Sequence, residues 1–229
     1  MPMSFEDIMG ELSSLADPRN VESMARFGIR GSKVLGISVR DLRRIARKAG
    51  NDHNLASSLW GSGVHEARIL ASMVDEPAKV VESQMERWAR EFDSWDVCDQ
   101  CCMNLFRETP FAYKKAAEWA SRHEEYVKRA GFALMACLAS GDKKADDAKF
   151  VLFLPIIKTW ATDERNYVKK AVNWALRQIG KRNASLNRMA IEAAEDIGKL
   201  DSKAARWVAA NALRELRGEA VQRMLKGKS

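Results

Sequence analysis

Apolar positions recur along this chain at helical spacing, and few segments alternate with the period of two that marks a strand. Turn-forming residues punctuate the pattern at Asp17-Pro18, Gly61-Ser-Gly63, Glu76-Pro77, Thr109-Pro110 and Ser140-Gly-Asp-Lys-Lys144. The intervening segments run about 10–16 residues, the length of globular helices. Ser38 with Asp41 three residues on reads as a capping-box start, and Gly50 as the matching stop. A helix is therefore expected near 38–49, after a glycine-bearing loop, Gly28 to Gly36. Further helices are expected near 94–107, 124–139 and 164–180.

The pattern also repeats. Tyr126-Val-Lys-Arg-Ala130 returns as Tyr167-Val-Lys-Lys-Ala171, 41 residues later, and Trp174-Ala-Leu-Arg-Gln-Ile179 returns as Asn211-Ala-Leu-Arg-Glu-Leu216, 37 residues later. Periods of about 40 residues belong to helix-pair repeats of the HEAT or armadillo kind, which bury their apolar faces only by stacking. The expectation is an all-α solenoid of HEAT-like helix pairs, a curved superhelix with a basic concave face. It is expected to be one domain over 1–229, frayed over about 218–229.

Composition agrees with helices: 32 residues are Ala and only 3 are Thr. The longest uncharged apolar runs, Phe150–Ile157 and Ala130–Ala139, are well short of the ~20 residues of a membrane span. Met1 to Asp7 carries acid where a signal peptide carries positive charge, and Cys98, Cys101, Cys102 and Cys137 are too few and too clustered for a disulfide scaffold. A cytoplasmic monomer with reduced thiols is expected.

Charge changes the picture more. The chain has 38 Lys and Arg against 31 Asp and Glu, a formal net charge of +7. Arg26, Arg30, Lys33, Arg40, Arg43, Arg44, Arg47 and Lys48 lie within 23 residues, opposed only by Asp41, so this stretch alone carries an excess of seven and the remainder balances. Such a run is either a solvated helix face or the footprint of a polyanion, most simply a nucleic-acid backbone.

A helical wheel then singles out residues that break the pattern. Near 94–107 an apolar arc contains Trp95, Val97, Cys98, Cys101, Cys102, Leu105 and Phe106, while Asp96, Gln100, Asn104 and Arg107 form the polar side. Asp99 falls at the edge of the apolar arc, one turn from Trp95 on the same face. A covered carboxylate needs a partner, so Asp99 is either a structural acid or a functional one. Arg129 enters a helix whose stretch from Ala130 to Ala139 has no charge, with Ala133 and Ala136 beside it, and pairing with a carboxylate or a phosphate is expected. Tyr167, Lys170 and Trp174 share one face of the helix near 164–180, either as core or as a ligand platform. The repeat register superposes Arg129 on Lys170, and more loosely aligns Glu66 and Asp99 with them. These four are expected to line one concave groove, with Trp95 and Trp174 as aromatic walls.

Other chemistries find no support. The cysteines lack zinc spacing, His53, His65 and His123 form no metalloprotease motif, and the glycine loop lacks the Gly-Lys-Ser/Thr ending of a phosphate-binding loop. No nucleophile elbow or dinucleotide fingerprint is present. No metal and no cofactor are expected, and an enzyme here would work by electrostatics and positioning.

Met24-Ala-Arg-Phe27, Leu35-Gly-Ile37, Ser94-Trp-Asp-Val-Cys-Asp99, Val127-Lys-Arg-Ala130 and Lys170-Ala-Val-Asn-Trp-Ala-Leu-Arg177 together resemble the DNA alkylation repair family, the HEAT-like-repeat alkylpurine DNA glycosylases. The resemblance implies removal of N3- and N7-alkylated purines from double-stranded DNA without a base-flipping pocket. It implies Asp99 as the catalytic aspartate, Trp95 and Trp174 as aromatics at the lesion, and Arg129 as a contact to the DNA backbone. The basic cluster and Lys170 would hold phosphates. Phe27 stands where the family has a tyrosine, so a hydroxyl contact is lost. The family also contains members resembling DNA-structure binders without glycosylase activity, which makes a non-catalytic binder of damaged or branched DNA the alternative. A protein scaffold is a third reading. Asp99 at an apolar edge separates the enzyme from both, and the basic cluster separates the two DNA readings from the scaffold.

Overall fold

The computed structural model describes residues 3–30 and 33–227. Met1 and Pro2, Gly31 and Ser32 of the glycine loop, and Lys228 and Ser229 at the end of the stretch expected to fray lie outside the described residues. The described residues form helices, turns and irregular connections without a strand. None of their helices is long and apolar enough to cross a membrane. The chain divides into two compact units between Thr109 and Pro110, at one of the turn signals read from the sequence.

The first unit is built from short helices: α1 (Phe5–Ser14), α2 (Pro18–Arg26), α3 (Val39–Ala49), α4 (His53–Gly61), α5 (His65–Val74), α6 (Glu82–Arg90) and α7 (Trp95–Asn104), closed by a 3₁₀ turn at Phe106–Glu108. Helices of nine to eleven residues are marginal in isolation, and side-chain caps support several of these. Ser4 and Asp7 form a reciprocal capping box on α1, while Asp17, Ser38 and Asp52 cap α2, α3 and α4. Helix α3 starts and ends where its signals predict: Asp41 N donates to Ser38 Oγ at 3.2 Å, and Gly50 leaves the helix at φ 76°. The core is aromatic. Trp60 and Trp88 stack with ring centroids 4.0 Å apart, flanked by Phe92 and Phe106.

The second unit uses longer helices: α8 (Ala112–Ala120), α9 (Glu125–Gly141), α10 (Ala148–Val151), α11 (Phe153–Trp160), α12 (Asn166–Gly180), α13 (Ala184–Gly198), α14 (Lys203–Leu216) and α15 (Glu219–Lys226). The 41-residue repeat is visible in space. Equivalent helices α9 and α12 pack together, with the Tyr126 and Tyr167 rings 5.8 Å apart. Asn173 Nδ2 donates to the Val208 carbonyl at 3.0 Å and carries the ladder on to α14. Helix α9 is buried without interruption from Val127 to Ala139, as its uncharged stretch requires. It can sit so close to α8 because residue 131 is Gly: a Cβ there would lie 2.4 Å from the Ala120 backbone nitrogen. Residues 219–226, expected to fray, form α15 because Val221 and Leu225 are buried and anchor it.

Candidate functional site

Helix α7 buries Val97, Cys98, Cys101 and Cys102 completely and leaves Trp95 and Asp99 half-buried on an adjoining face. The wheel therefore places Asp99 correctly at the border of the apolar arc. Burial pushes the Cys101 thiol well above its usual range, so this thiol stays protonated and chemically quiet.

The opposite side of α7 corrects the sequence reading. Asp96, Gln100 and Asn104 were expected to face solvent, yet this row packs against α5. The carboxylate of Asp96 accepts from His65 Nε2 at 2.8 Å, and Asn104 Nδ2 donates to Ser72 Oγ at 3.2 Å and to Gln100 Oε1 at 3.1 Å. Asp96, like Asp75 with His53 Nδ1 at 2.7 Å, is an acid paired with a histidine, and the hydrophobic pattern carries no signal for that pairing beyond a histidine at a helix start.

Glu66 also corrects the expectation. It does not line a groove: it is fully buried and accepts from the backbone N–H groups of Leu35 at 2.9 Å, Gly36 at 2.7 Å and Ile37 at 3.2 Å. Three such donors stabilise a buried carboxylate without a cation. Its effect is to pin the chain just ahead of α3, which sets where the basic helix begins.

Beyond that anchor the cations separate into two groups. Arg40, Arg43 and Arg47, spaced three and four apart, form one exposed stripe on α3. Arg44 and Lys48 turn aside to the Glu11 carboxylate of α1, each at 3.0 Å. Arg26 and Arg30 are exposed on either side of Phe27, and Lys33 Nζ donates to the Ser62 carbonyl at 3.0 Å. Phe27 itself is 69% exposed, an unusual position for a large apolar ring. Its carbonyl accepts from Trp95 Nε1 at 3.0 Å, which links the basic segment directly to the helix that carries Asp99.

In the second unit Arg129 is buried on α9 and its Nη1 donates to the Tyr167 carbonyl at 2.6 Å. That carbonyl lies on the next repeat, so Arg129 ties α9 to α12. On α12, Lys170 is exposed and Trp174 half-buried, one turn apart. Continuing the register by 37 residues puts Trp207 after Lys170; it is 38% exposed, with Lys169 Nζ 5.2 Å from its ring centroid. Next to Arg129, Lys128 is buried with Nζ 3.2 Å from the Trp160 ring centroid. Burial pushes that ammonium below the usual lysine range, and the nearby Asp163 only partly opposes it.

The charge balance outside the basic cluster resolves into two opposite excesses. Outside that cluster residues 1–109 hold 6 Lys and Arg against 16 Asp and Glu, whereas residues 110–229 hold 24 against 14. The second unit is strongly basic, and the first is an acidic body with one basic segment.

Comparison with known proteins now adds to this geometry. Residues 8–216 match the family described as DNA alkylation repair enzyme. The uncharacterized protein Lin0241 of Listeria innocua serovar 6a is 24% identical over 202 residues, covering 86% of this chain and 88% of its own. A solved structure, from a new family of proteins related to the HEAT-like repeat DNA glycosylases with affinity for branched DNA structures, superposes with a TM-score of 0.82 at 22% identity. That likeness covers 97% of this chain and 96% of the other, and establishes a HEAT-like repeat fold here. With a match that takes in nearly all of both units, this chain belongs to the DNA alkylation repair enzyme family.

Proposed function

We propose that this protein binds double-stranded DNA and hydrolyses the N-glycosidic bond of N3- and N7-alkylated purines, with Asp99 as the catalytic carboxylate. The observation that carries this reading is the hydrogen bond from Trp95 Nε1 to the Phe27 carbonyl. It ties a half-buried acid and an indole on one face of α7 to the segment richest in exposed cations. A protein that only held phosphates would gain nothing from a carboxylate beside them.

Alkylation at N3 or N7 leaves the purine cationic, so it departs as a neutral base with the electron pair of the C1′–N bond. Positive charge develops on the deoxyribose, and a carboxylate stabilises such oxocarbenium-like states. Water adds its oxygen to C1′ and gives its proton to Asp99, which returns it to solvent, leaving an abasic site and the free base. The Trp95 ring favours the same cation through its π-face. Arg26, Arg30, Lys33 and the stripe of Arg40, Arg43 and Arg47 hold phosphates, positioning DNA without reading its sequence. Arg44 is occupied with Glu11 and contributes less. In the second unit Lys170, Trp174 and Arg129, with Arg129 anchored on the Tyr167 carbonyl, supply further contacts to DNA.

The test is release of methylated purines from alkylated duplex DNA by wild type and by Asp99→Asn. Wild type is expected to release base, and the variant to lose about 10²-fold or more in rate while retaining DNA affinity. No release by wild type, with tight binding to a branched junction, would instead support a non-catalytic binder of branched DNA. The exposed Phe27 in place of the family tyrosine favours that second reading.

A further inference from the structure

Beside the basic segment, the first unit holds an open cleft of about 280 Å³ whose lining includes Arg30, Lys33, His65, Arg68 and Asp93. Its acid does not explain its bases. Asp93 is 62% exposed and meets Arg68 Nη1 at 3.4 Å, and a solvated carboxylate needs no such concentration of cations. Lys33 is held over the cleft by the Ser62 carbonyl, and Arg68 by the Glu91 carbonyl at 3.3 Å.

His65 is the informative member. It opens α5, is 6% exposed, and its backbone N–H donates to the Lys33 carbonyl at 3.0 Å. Its Nε2 is committed to Asp96, and among the described residues Nδ1 makes no hydrogen bond. Burial alone would make this ring neutral. The bond to Asp96 and its charge, with help from Glu66 and Asp93, outweigh burial and raise its pKa above 6.5. The charged groups around it are Asp96 of α7, Asp93 just before α7, Glu66 and Arg68 on its own helix, and Arg30 and Lys33 of the basic segment. Glu66 is already satisfied by three backbone donors. An imidazolium with Nε2–H on Asp96 keeps Nδ1–H for a ligand.

We propose that this cleft binds one phosphate group of a nucleic-acid strand, with Arg30, Lys33 and Arg68 supplying charge and His65 Nδ1–H a hydrogen bond. The proposal deepens the DNA-binding reading and rests on it. A phosphodiester within a strand and a terminal phosphate share this chemistry. Because the folded His65 pKa is raised above 6.5, the imidazolium is the major form at pH 6.5 and is lost as pH rises through the folded value. Affinity should fall over the same range.

The test is the affinity of an undamaged duplex lacking terminal phosphates, measured by fluorescence anisotropy across pH 6 to 9 at constant salt, as a phosphodiester does not titrate there. Wild type should weaken on the order of tenfold as pH rises, matching one charge-assisted bond, and His65→Gln should flatten the profile. Arg68→Gln should lower the slope of log affinity against log salt by about 1. If the effects emerge only with a 5′-phosphorylated duplex, the cleft takes a strand end. If DNA binds but both variants keep the wild-type profile and slope, the cleft proposal is overturned while DNA binding stands. If no DNA binds at all, the DNA reading fails, and the His65 ring resonances under inorganic phosphate decide the cleft: a saturable shift supports a phosphate site, and none overturns it.

Discussion

The two units reach stability and charge by different means. The first assembles short helices through caps, a stacked tryptophan pair and a carboxylate buried on backbone donors, and sets one cationic stripe on an otherwise acidic body. The second repeats one long-helix unit and spreads an excess of cations over exposed positions such as Lys170, Arg188, Lys203, Arg214 and Arg223. A polyanion meeting the first unit would be held at a few defined phosphates, whereas the second offers diffuse attraction that salt screens readily. The zero balance outside the basic cluster hides this difference, because there the acidic excess of the first unit offsets the basic excess of the second.

Three changes break or sharpen the comparison. The largest effect is expected at the close approach in the second unit. Gly131→Val pushes a branched side chain into the Ala120 backbone and should destabilise the chain by about 3 kcal/mol or more, read by denaturant unfolding. A smaller loss would mean that α8 and α9 can separate without harm. Next comes Glu66→Gln, which keeps the shape but removes the charge and turns an amide toward backbone donors. A loss of about 2 kcal/mol is expected, with freer exchange of the Leu35 to Ile37 amide hydrogens. Unchanged exchange would show that other contacts hold this segment. Smallest, and on binding alone, is a contrast within α3. Removing the charges of Arg43 and Arg47 together should lower the salt slope of DNA affinity by about 2. Removing those of Arg44 and Lys48 should change it less, because Glu11 already engages both. Equal effects would mean that phosphates displace Glu11.

Much of this was legible in the chain because it depends on neighbours in sequence. Ser38, Asp41 and Gly50 mark the ends of α3 by hydrogen bonds and backbone geometry completed within a few residues. The uncharged stretch after Arg129 announces a surrounded helix, and the 41-residue recurrence announces two equivalent helices that pack. The border position of Asp99 follows from the angle between successive residues on a helix.

The failures have one cause. Asp96, Gln100 and Asn104 look like a wet face, yet their row meets His65 and Ser72, both more than 30 residues away in the chain. Glu66 looks like a member of a charged groove, yet its partners are amides of a distant loop. A polar group satisfied by another segment and one satisfied by water leave the same mark on a hydrophobic pattern. The sequence by itself determined the helices, their repeat and the cationic stretch. Only the tertiary structure decided which charges remain available, because that depends on where each finds its hydrogen-bond partner.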